Sequence, residues 1–489
     1  MLTEVSPSSS KTIPPVLLTG FLNSPLGLGQ VGRALAKALE FADIPFEAFD
    51  QPLRHLQRIG SVQTIESQNY RDFPICLCSI NGEHFPYLAG RVGNKFFQSR
   101  YMIGVWFWET PKLPEAARKG LPYVDEVWTC SEFTAQSIRE AAPEKRIRVF
   151  PYPLLTPELN LGNTEPDYGP DFPHLDAHTF IFLFAFDYNS CLRRKNPEAV
   201  CRAFCEAFPS PLPNGPICVI KSINGDKWPV ERQQFQNQFA HRPDIILYDG
   251  FLPENAMDSL LERSNCYVSL HRAEGFGLTL LEAMARGKPT IASDYSGNLT
   301  FMTHENSWLI PVELQEVGEG SRFYPAKDIW GDPDVARAAL AMKECFLGGP
   351  ETNAKIAIAQ QEIQGIYALP RAAQAIRALL EDAATRSPAQ KILPPAKSGY
   401  VRAREQLNIL RDLEASLSDI KPSPWSRGMG RTVEIIRKLS RENRKTSELI
   451  LKASREREEM LVARVASLEA EMADTRRRLA DILKQLEQR

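Results

Sequence analysis

The sequence lacks any apolar run that approaches the roughly 20 residues needed to span a bilayer. It also lacks an excess of charge of one sign, since 58 basic and 60 acidic residues leave a formal net charge of −2, and no basic field predicts nucleic-acid binding. Its nine cysteines form no Cys-x-x-Cys pair and no metal-type pattern with histidine, which is typical of reduced thiols rather than of a disulfide framework. We therefore expect a cytoplasmic protein with no metal site, no nucleic-acid partner and at most peripheral membrane contact.

The length of the chain is enough for two α/β domains, each with its own core, and a tail, because 43% of its 489 residues are hydrophobic. Its first 15 residues are polar and lack the apolar core of a signal peptide, so that residues 1–15 are predicted to form a disordered leader. Prolines, glycines and acidic residues between Pro151 and Pro173 predict the boundary between the domains.

A glycine-rich turn between two carboxylates is the most informative element of the sequence, and it occupies residues 272–285. Gly275 and Gly277 allow the backbone to approach a ligand closely. The N–H groups at the start of the next helix, together with the positive end of its dipole, suit a diphosphate; they belong to Phe276, Gly277 and Leu278. Glu282, about one turn deeper, repels an anion but accepts hydrogen bonds from sugar hydroxyls.

The residues around this turn predict a βαβ unit. An apolar, strand-like run at 265–271 precedes the turn, and a second short strand at 288–294 follows the helix. In open α/β sheets a ligand binds at the carboxyl end of such a strand. The alternative, a tight turn followed by a solvated glutamate, accounts less well for the whole arrangement.

A second strand-to-helix turn lies near the start of the chain, where an apolar run at 15–21 precedes Gly27-x-Gly29-x-x-Gly32. This spacing is that of a dinucleotide fingerprint. Asp50, at the end of the next apparent strand, is the one candidate for its acidic ribose partner. An NAD(P)-binding oxidoreductase is therefore one hypothesis for the protein.

The chain resembles a known family, the retaining glycosyltransferases of family 4 (glycosyl transferases group 1), whose hallmark is the Glu-x7-Glu element seen here from Glu274 to Glu282. Further similar segments lie at 103–109, 124–131, 295–302 and 323–326, and the resemblance spans about residues 16 to 385. It implies an α/β fold of the GT-B type, in which two Rossmann-like domains face a cleft. We expect the acceptor-side domain at 16–165 and the donor-binding domain at 174–385, with a last helix that crosses back.

The resemblance also implies roles for a basic cluster that precedes a predicted helix. Lys195 matches a lysine that holds the donor diphosphate in the family, whereas the family's strand-end arginine has no counterpart, since residues 186–189 are Phe-Asp-Tyr-Asn. Arg193 or Arg194 is the predicted substitute, because arginine holds phosphate bidentately. A solvated loop cluster is the alternative interpretation.

Three residues are predicted to be catalytic, namely Glu274, Lys195 and Glu109. Many relatives carry histidine immediately before the residue that matches Glu109, but this chain has Trp108 there, so no histidine role carries over. Asn298 is a candidate for recognising the donor sugar or for capping the next helix. In the family the loop that matches Gly27 and Gly29 faces the donor phosphates, and both glycines are therefore predicted to bind the donor.

The end of the chain has a heptad pattern of apolar residues, interrupted only by Thr475. The seam residues are Leu461, Val465, Leu468, Met472, Leu479, Ile482 and Leu486. This pattern predicts a coiled coil at 431–489 after a linker at 386–430, and hence self-association or a partner helix.

Together with these features, the resemblance implies a metal-independent, retaining glycosyltransferase that moves a sugar from a nucleoside-diphosphate sugar to a glycan or lipid-linked acceptor hydroxyl. No cofactor is expected. The resemblance implies bacterial glycan or surface polysaccharide synthesis, with GDP-mannose as a family-level donor hypothesis. Two alternatives remain, the oxidoreductase described above and a coiled-coil scaffold with a degenerate transferase fold.

Overall fold

Two parallel six-stranded sheets form the framework of the computed structural model. The model describes residues 13–51, 62–65, 73–155, 168, 172–176, 178–321 and 324–394. The predicted leader up to residue 12, most of the predicted linker and the whole predicted coiled coil lie outside the described residues.

The first sheet has the strand order β2-β1-β3-β4-β5-β6, and all of its strands are parallel. The strands are β1 Val16–Gly20, β2 Phe46–Asp50, β3 Ile75–Ser79, β4 Tyr101–Val105, β5 Glu126–Thr129 and β6 Arg146–Val149. The helices are α1 Gly27–Phe41, α2 Phe85–Val92, α3 Lys95–Gln98, α4 Glu115–Arg118 and α5 Glu132–Ala141. Strands β1, β3 and β4 are buried along their whole length and are mostly apolar, as expected of a parallel sheet covered on both faces.

The second sheet has the order β12-β11-β10-β7-β8-β9 and is also parallel throughout. Its strands are β7 Ile181–Asp187, β8 Ile217–Ile223, β9 Ile245–Asp249, β10 Cys266–Ser269, β11 Thr290–Ser293 and β12 Trp308–Ile310. The helices that follow are α6 Leu192–Lys195, α7 Pro197–Ala207, α8 Pro229–Phe239, α9 Glu254–Arg263, α10 Leu278–Ala285, α11 Val335–Leu347, α12 Pro350–Tyr367 and α13 Leu369–Ala384. We call the first sheet with helices α1, α3, α4 and α5 the first domain, and β7 to α12 the second domain.

An antiparallel hairpin is added to the second domain between β12 and α11. It consists of β13 Val312–Glu316 and β14 Ile329–Pro333, paired from Val312 opposite Pro333 to Glu316 opposite Ile329. The hairpin forms a sheet of its own, separate from the two parallel sheets.

The described residues up to Phe85 and those of Lys95–Ile392 form one compact body that contains both sheets, and Pro86–Asn94 belongs to a second unit. In the first body α13 packs against α1, and Arg377 donates a hydrogen bond to the carbonyl of Ala42 at 2.5 Å. The last helix therefore packs on the first domain. No helix among the described residues is both long and apolar enough to cross a membrane.

The predicted fold class, an α/β protein of two Rossmann-like domains, is confirmed for the described residues. The predicted domain limits of 16–165 and 174–385 remain predictions.

Candidate active site

Both sheets reverse their strand order at a switch point, which lies between β1 and β3 in the first sheet and between β7 and β10 in the second. Ligands of open α/β sheets bind in the crevice outside the carboxyl ends of the strands at such points. The turn after β1 leads to Gly27, the turn after β7 leads to Lys195, and the turn after β10 contains Glu274. The topology thus directs all three predicted segments to switch points.

The glycine-rich turn after β10 presents backbone donors at the start of α10. Gly277 has φ +98°, a left-handed conformation that side chains other than glycine rarely adopt, and it directs the chain into the helix. In the part of the chain that the structure describes, no acceptor contacts the backbone N–H groups of residues 276 to 278. These three donors are therefore available to an anion, as predicted for a diphosphate.

The start of α1 faces the start of α10. A methyl group added at Gly27 would lie 4.0 Å from Leu278 Cδ1. Gly29 serves the packing of this turn, because a Cβ there would collide with the carbonyl oxygens of Ser24 and Phe21. Two helix N-termini with positive dipole ends thus meet in the cleft.

A cluster of two cations and two carboxylates lies beside the turn. Lys195 Nζ donates to Glu274 Oε1 at 2.5 Å. The guanidinium of Arg194, whose side chain is 3% exposed, lies 3.3 Å from Glu274 Oε1 and 3.6 Å from Glu109 Oε1. Since Glu109 comes from the first domain and the other three residues come from the second, this cluster joins the two domains.

The two carboxyl groups of the cluster have pKa values driven in opposite directions. Burial raises the pKa of Glu274, but Lys195 and Arg194 outweigh burial and hold this pKa at about 2. For Glu109, burial prevails over the attraction of Arg194, and its pKa is raised. Glu274 is therefore ionised across the physiological range, whereas Glu109 retains its proton to higher pH.

The glycine-rich turn is also docked on the first domain. Ser131, at the start of α5, donates from its hydroxyl to the carbonyl of Gly275 at 2.5 Å, and Thr134 donates to the same oxygen at 3.3 Å. The hydroxyl of Ser131 also accepts from the backbone N–H of Thr134. The first domain thus holds the carbonyl of the turn and leaves its N–H groups available.

The second carboxylate of the Glu-x7-Glu element, Glu282, faces the first domain as well. Gln30 on α1 donates from its side-chain amide to Glu282 Oε1 at 2.5 Å. Burial raises the pKa of Glu282 to about 7, with Arg286 acting against this shift and Asp258 adding to it. This glutamate therefore titrates near neutral pH, and it lies inside the cleft rather than in solvent.

Comparisons with known proteins bear on this cleft. Residues 225–317, which include the glycine-rich turn, match the family model of glycosyl transferases group 1. A glycosyltransferase from Rickettsia africae aligns with a TM-score of 0.54 at 13% identity, over 77% of this chain and all of that one. Anabaena HepE in complex with UDP and glucose aligns with a TM-score of 0.52 at 14% identity, over 76% of this chain and all of that one.

A sucrose-phosphate synthase from Thermosynechococcus elongatus aligns with a TM-score of 0.51 at 16% identity, over 76% of this chain and 98% of that one. No curated protein matches the chain by sequence. The fold is GT-B. Together with the matched segment it supports a glycosyltransferase.

The GT-B cleft contains a cavity of about 350 Å³ beside the start of α1. Pro25 and Leu26 line it from the first domain, and Asn224, Asp249 and Phe251 line it from the second. Its position at the carboxyl ends of β8 and β9 and its size are both suited to a small organic ligand. Among the described residues, no group of His, Cys, Asp or Glu is arranged to hold a metal ion.

Arg193 points to the hairpin rather than to the cluster. It donates to the carbonyls of Val317 and Glu319 and to the hydroxyl of Ser321, at 2.7 to 3.0 Å. Its guanidinium also lies over the ring of Trp330 at 5.4 Å. Neighbours in the sequence therefore have different partners, and it is Arg194 that contacts the carboxylates of the GT-B cleft.

Asn298 is fully buried behind the glycine-rich turn. Its side-chain oxygen accepts a hydrogen bond from His271 Nε2–H at 3.1 Å, and its amide nitrogen donates to the carbonyl of Ser293 at 2.9 Å. His271 is itself held by Ser269 at 3.0 Å, and burial lowers its pKa. A contact between Asn298 and a ligand remains a prediction, since the protein already provides partners for the amide.

Two residues of the GT-B cleft were not identified from the sequence. Gln30 is the partner of Glu282, 252 positions away, and no local pattern marks it. Tyr324 donates from its hydroxyl to Glu109 Oε2 at 3.2 Å. From the sequence, its segment was known only to resemble the family, and no role was predicted for the tyrosine. Contacts between such distant positions leave no periodic signal in a single sequence.

Proposed function

We propose that this protein is a retaining, metal-independent glycosyltransferase of family 4 that uses a nucleoside-diphosphate sugar as donor. The observation that carries the proposal is the pair of facing helix N-termini, with Lys195 beside them and with N–H groups at residues 276 to 278 that contact no acceptor among the described residues. A diphosphate needs such donors and such a cation. The match of residues 225–317 to glycosyl transferases group 1 and the UDP in the complex of Anabaena HepE support the same assignment.

The cluster suggests how the leaving group is stabilised. When the bond between the anomeric carbon and the diphosphate oxygen breaks, the diphosphate leaves with the electron pair, and negative charge develops on it. Lys195, whose side chain is 19% exposed, would bind this charge together with the start of α10. Arg194, almost fully buried, remains with Glu274 and Glu109 and keeps both carboxylates in place.

The acceptor is held by the first domain in this proposal. Its hydroxyl oxygen bonds to the anomeric carbon on the face that the diphosphate leaves, and its proton passes to the departing phosphate oxygen. Glu274 and Glu282 accept hydrogen bonds from hydroxyl groups of the donor, because ionised carboxylates accept and do not donate. The cavity beside Asn224 and Asp249 would hold the nucleoside.

We assign the protein a cytoplasmic role in bacterial glycan or surface polysaccharide synthesis, with a glycan or lipid-linked acceptor. GDP-mannose was the donor suggested by the resemblance, and the UDP complex of HepE adds UDP-sugars to the candidates. The predicted coiled coil would provide self-association or a partner helix. Each of these assignments is part of the proposal.

Donor binding tests the proposal directly. Thermal unfolding of the full chain would be measured with UDP-, GDP- and ADP-sugars, their free diphosphates and NAD(P), for the wild type, Lys195→Met and the matched control Lys343→Met. Lys343 is exposed on α11, and no ion pair reaches it among the described residues. One class of nucleotide should raise the unfolding temperature of the wild type and of Lys343→Met. For Lys195→Met the apparent Kd of that nucleotide, obtained from the same shifts, should be at least tenfold higher.

Transfer to water or to an added sugar, followed by NMR of the product anomer, then tests retention. An inverted anomer would contradict the retaining mechanism. Binding of NAD(P) alone would replace the proposal with the oxidoreductase hypothesis. Binding of no nucleotide would favour the scaffold.

A further inference from the structure

The hairpin of β13 and β14 is fixed onto the candidate active site by cations. Trp330 on β14 lies under the guanidinium of Arg193 at 5.4 Å and under that of Arg272 at 5.6 Å. Arg272 also pairs with Asp332 on the same strand at 2.7 Å. Because Arg193 follows β7 and Arg272 follows β10, the hairpin is held at both sides of the switch point.

This attachment carries the connecting segment of the hairpin to the first domain. Tyr324, in that segment, is 7% exposed, and its ring lies 5.4 Å from the ring of Trp108. Its hydroxyl donates to Glu109 Oε2 at 3.2 Å, and Arg194 lies 6.0 Å from the centre of its ring. One tyrosine therefore contacts the loop after β4 and the cation that serves both carboxylates.

Four groups act on the carboxyl group of Glu109 from the elements packed around it. Apart from burial, which raises its pKa, Arg194 lowers it, Glu274 raises it, and Lys195 and the hydroxyl of Tyr324 lower it. A hydrogen bond from a neutral hydroxyl favours the ionised form of a carboxyl group. The hydroxyl of Tyr324 thus acts in the same direction as the cations, although it carries no charge.

We propose that Tyr324 is a positioning residue of the transferase, whose hydroxyl keeps the Glu109 carboxylate ionised and turned toward Arg194. The inference rests on the proposed function, and it gives the added hairpin a role in that function. Loss of the hydroxyl would leave the ring packing intact. Glu109 would then take up a proton at higher pH, and Arg194 would lose one of its two carboxylate partners.

The pH dependence of donor turnover distinguishes this role from simple packing. We expect Tyr324→Phe to move the acidic limb of kcat/KM upward by roughly one pH unit, the size expected for loss of one hydrogen bond to a charged group. Tyr295→Phe is the matched control, since the Tyr295 hydroxyl donates to the carbonyl of Ile329 on the hairpin at 3.5 Å and contacts no carboxylate among the described residues. An acidic limb that stays in place for Tyr324→Phe, with activity reduced equally at every pH, would overturn the proposal.

A double-mutant cycle tests the same coupling without any assay of activity. The free energy of unfolding would be measured for the full-length wild type, Tyr324→Phe, Glu109→Gln and the double variant, at pH 8 and at pH 5. We expect the two substitutions to be strongly non-additive at pH 8 and closer to additive at pH 5, because the hydrogen bond matters most to the ionised carboxylate. Additive effects at both values of pH would refute the positioning role.

The two experiments separate this inference from the function on which it rests. A wild type that binds no sugar nucleotide, combined with strong coupling in the cycle, would sink the transferase and leave the contact between Tyr324 and Glu109 as a structural one. A wild type that turns over a donor, combined with an unmoved acidic limb and an additive cycle, would sink the inference alone.

Discussion

At the scale of single residues, glutamates in the cleft have different pKa values because they have different neighbours. Glu274 lies between two cations and has a pKa of about 2, whereas Glu282 faces an uncharged amide and has a pKa raised by burial to about 7. The two residues are eight positions apart on one turn and helix. Their different titration therefore arises from partners supplied by other elements.

Glu282 should make stability depend on pH. Its pKa is higher in the folded protein than in the unfolded chain, so the folded state binds more protons between about pH 4.5 and pH 7. Stability contributed by this group is thus present below that window and is lost as the pH rises through it, by at most about 3 kcal/mol. Glu282→Gln cannot titrate and should lack this slope in urea unfolding measured from pH 4 to pH 8.

The same titration should appear in donor binding. Because hydroxyl groups need the ionised carboxylate as acceptor, apparent donor affinity should rise between pH 6 and pH 8 in the wild type and stay flat in Glu282→Gln. Parallel pH profiles for the two proteins would contradict this assignment.

At the scale of elements, short segments with special geometry hold the ends of helices and strands. The glycine-rich turn depends on Gly277, whose φ of +98° precedes α10. The C-terminal segment after α13 depends on a buried ion pair, in which Lys391 Nζ lies 2.6 Å from Asp125 Oδ2 and each side chain is 3% exposed. A single substitution in either segment should therefore destabilise the protein.

Gly277→Ala should destabilise the protein by about 1–2 kcal/mol, because a Cβ is strained in the left-handed region. It should also weaken donor binding, since the N–H groups at the start of α10 would be displaced. Gly365→Ala is the matched control: Gly365 lies within α12 with open space around its Cα, and alanine there should stabilise by about 0.5–1 kcal/mol. Equal changes in Tm for the two variants would show that the turn does not require glycine.

Lys391→Met should destabilise by about 3–5 kcal/mol, because it leaves Asp125 buried without its cation. Asp125 also accepts from the backbone N–H of Met102 and of Ala389. A displaced Asp125 carboxylate would therefore loosen the segment after α13 from the first domain. The exposed Lys343→Met should change stability by less than about 0.5 kcal/mol. If the double variant Asp125→Asn, Lys391→Met recovers none of the lost stability, the ion pair is not the cause.

At the scale of the whole molecule, polar contacts between the two domains gather at the glycine-rich turn and its helix. Glu109 meets Arg194, Ser131 meets the carbonyl of Gly275, and Gln30 meets Glu282. The packing of α13 on α1 adds a second connection at a distance from the cleft. The contacts that hold the two domains together at the cleft are therefore the same contacts that position the residues of the site.

The predicted coiled coil should set the state of association of the full chain. Leu468→Glu with Met472→Glu places charge on the seam and should reduce the mass measured by light scattering to that of one 55.1 kDa chain. Ala470→Glu with Ala473→Glu adds the same charge off the seam and should leave the larger mass unchanged. A wild type that already has the mass of one chain would contradict self-association.

Local features of the sequence were enough to predict the fold of this protein. The apolar run of β7, the strand, turn and helix around Gly277 and the resemblance of the Glu-x7-Glu element are local features, because strand periodicity and backbone freedom depend on near neighbours. They were enough to predict two Rossmann-like domains, and that fold is confirmed. The roles of the site residues remain predictions, but the structure shows which of them lie together.

Tertiary structure alone decided the partners within the cleft. Arg193 and Arg194 are adjacent and chemically identical, yet one guanidinium binds the hairpin and the other binds two carboxylates. Gln30 and Tyr324 reach Glu282 and Glu109 across 252 and 215 positions. The direction of a side chain and the charges that surround it depend on how distant segments pack, and no local pattern in one sequence records that packing.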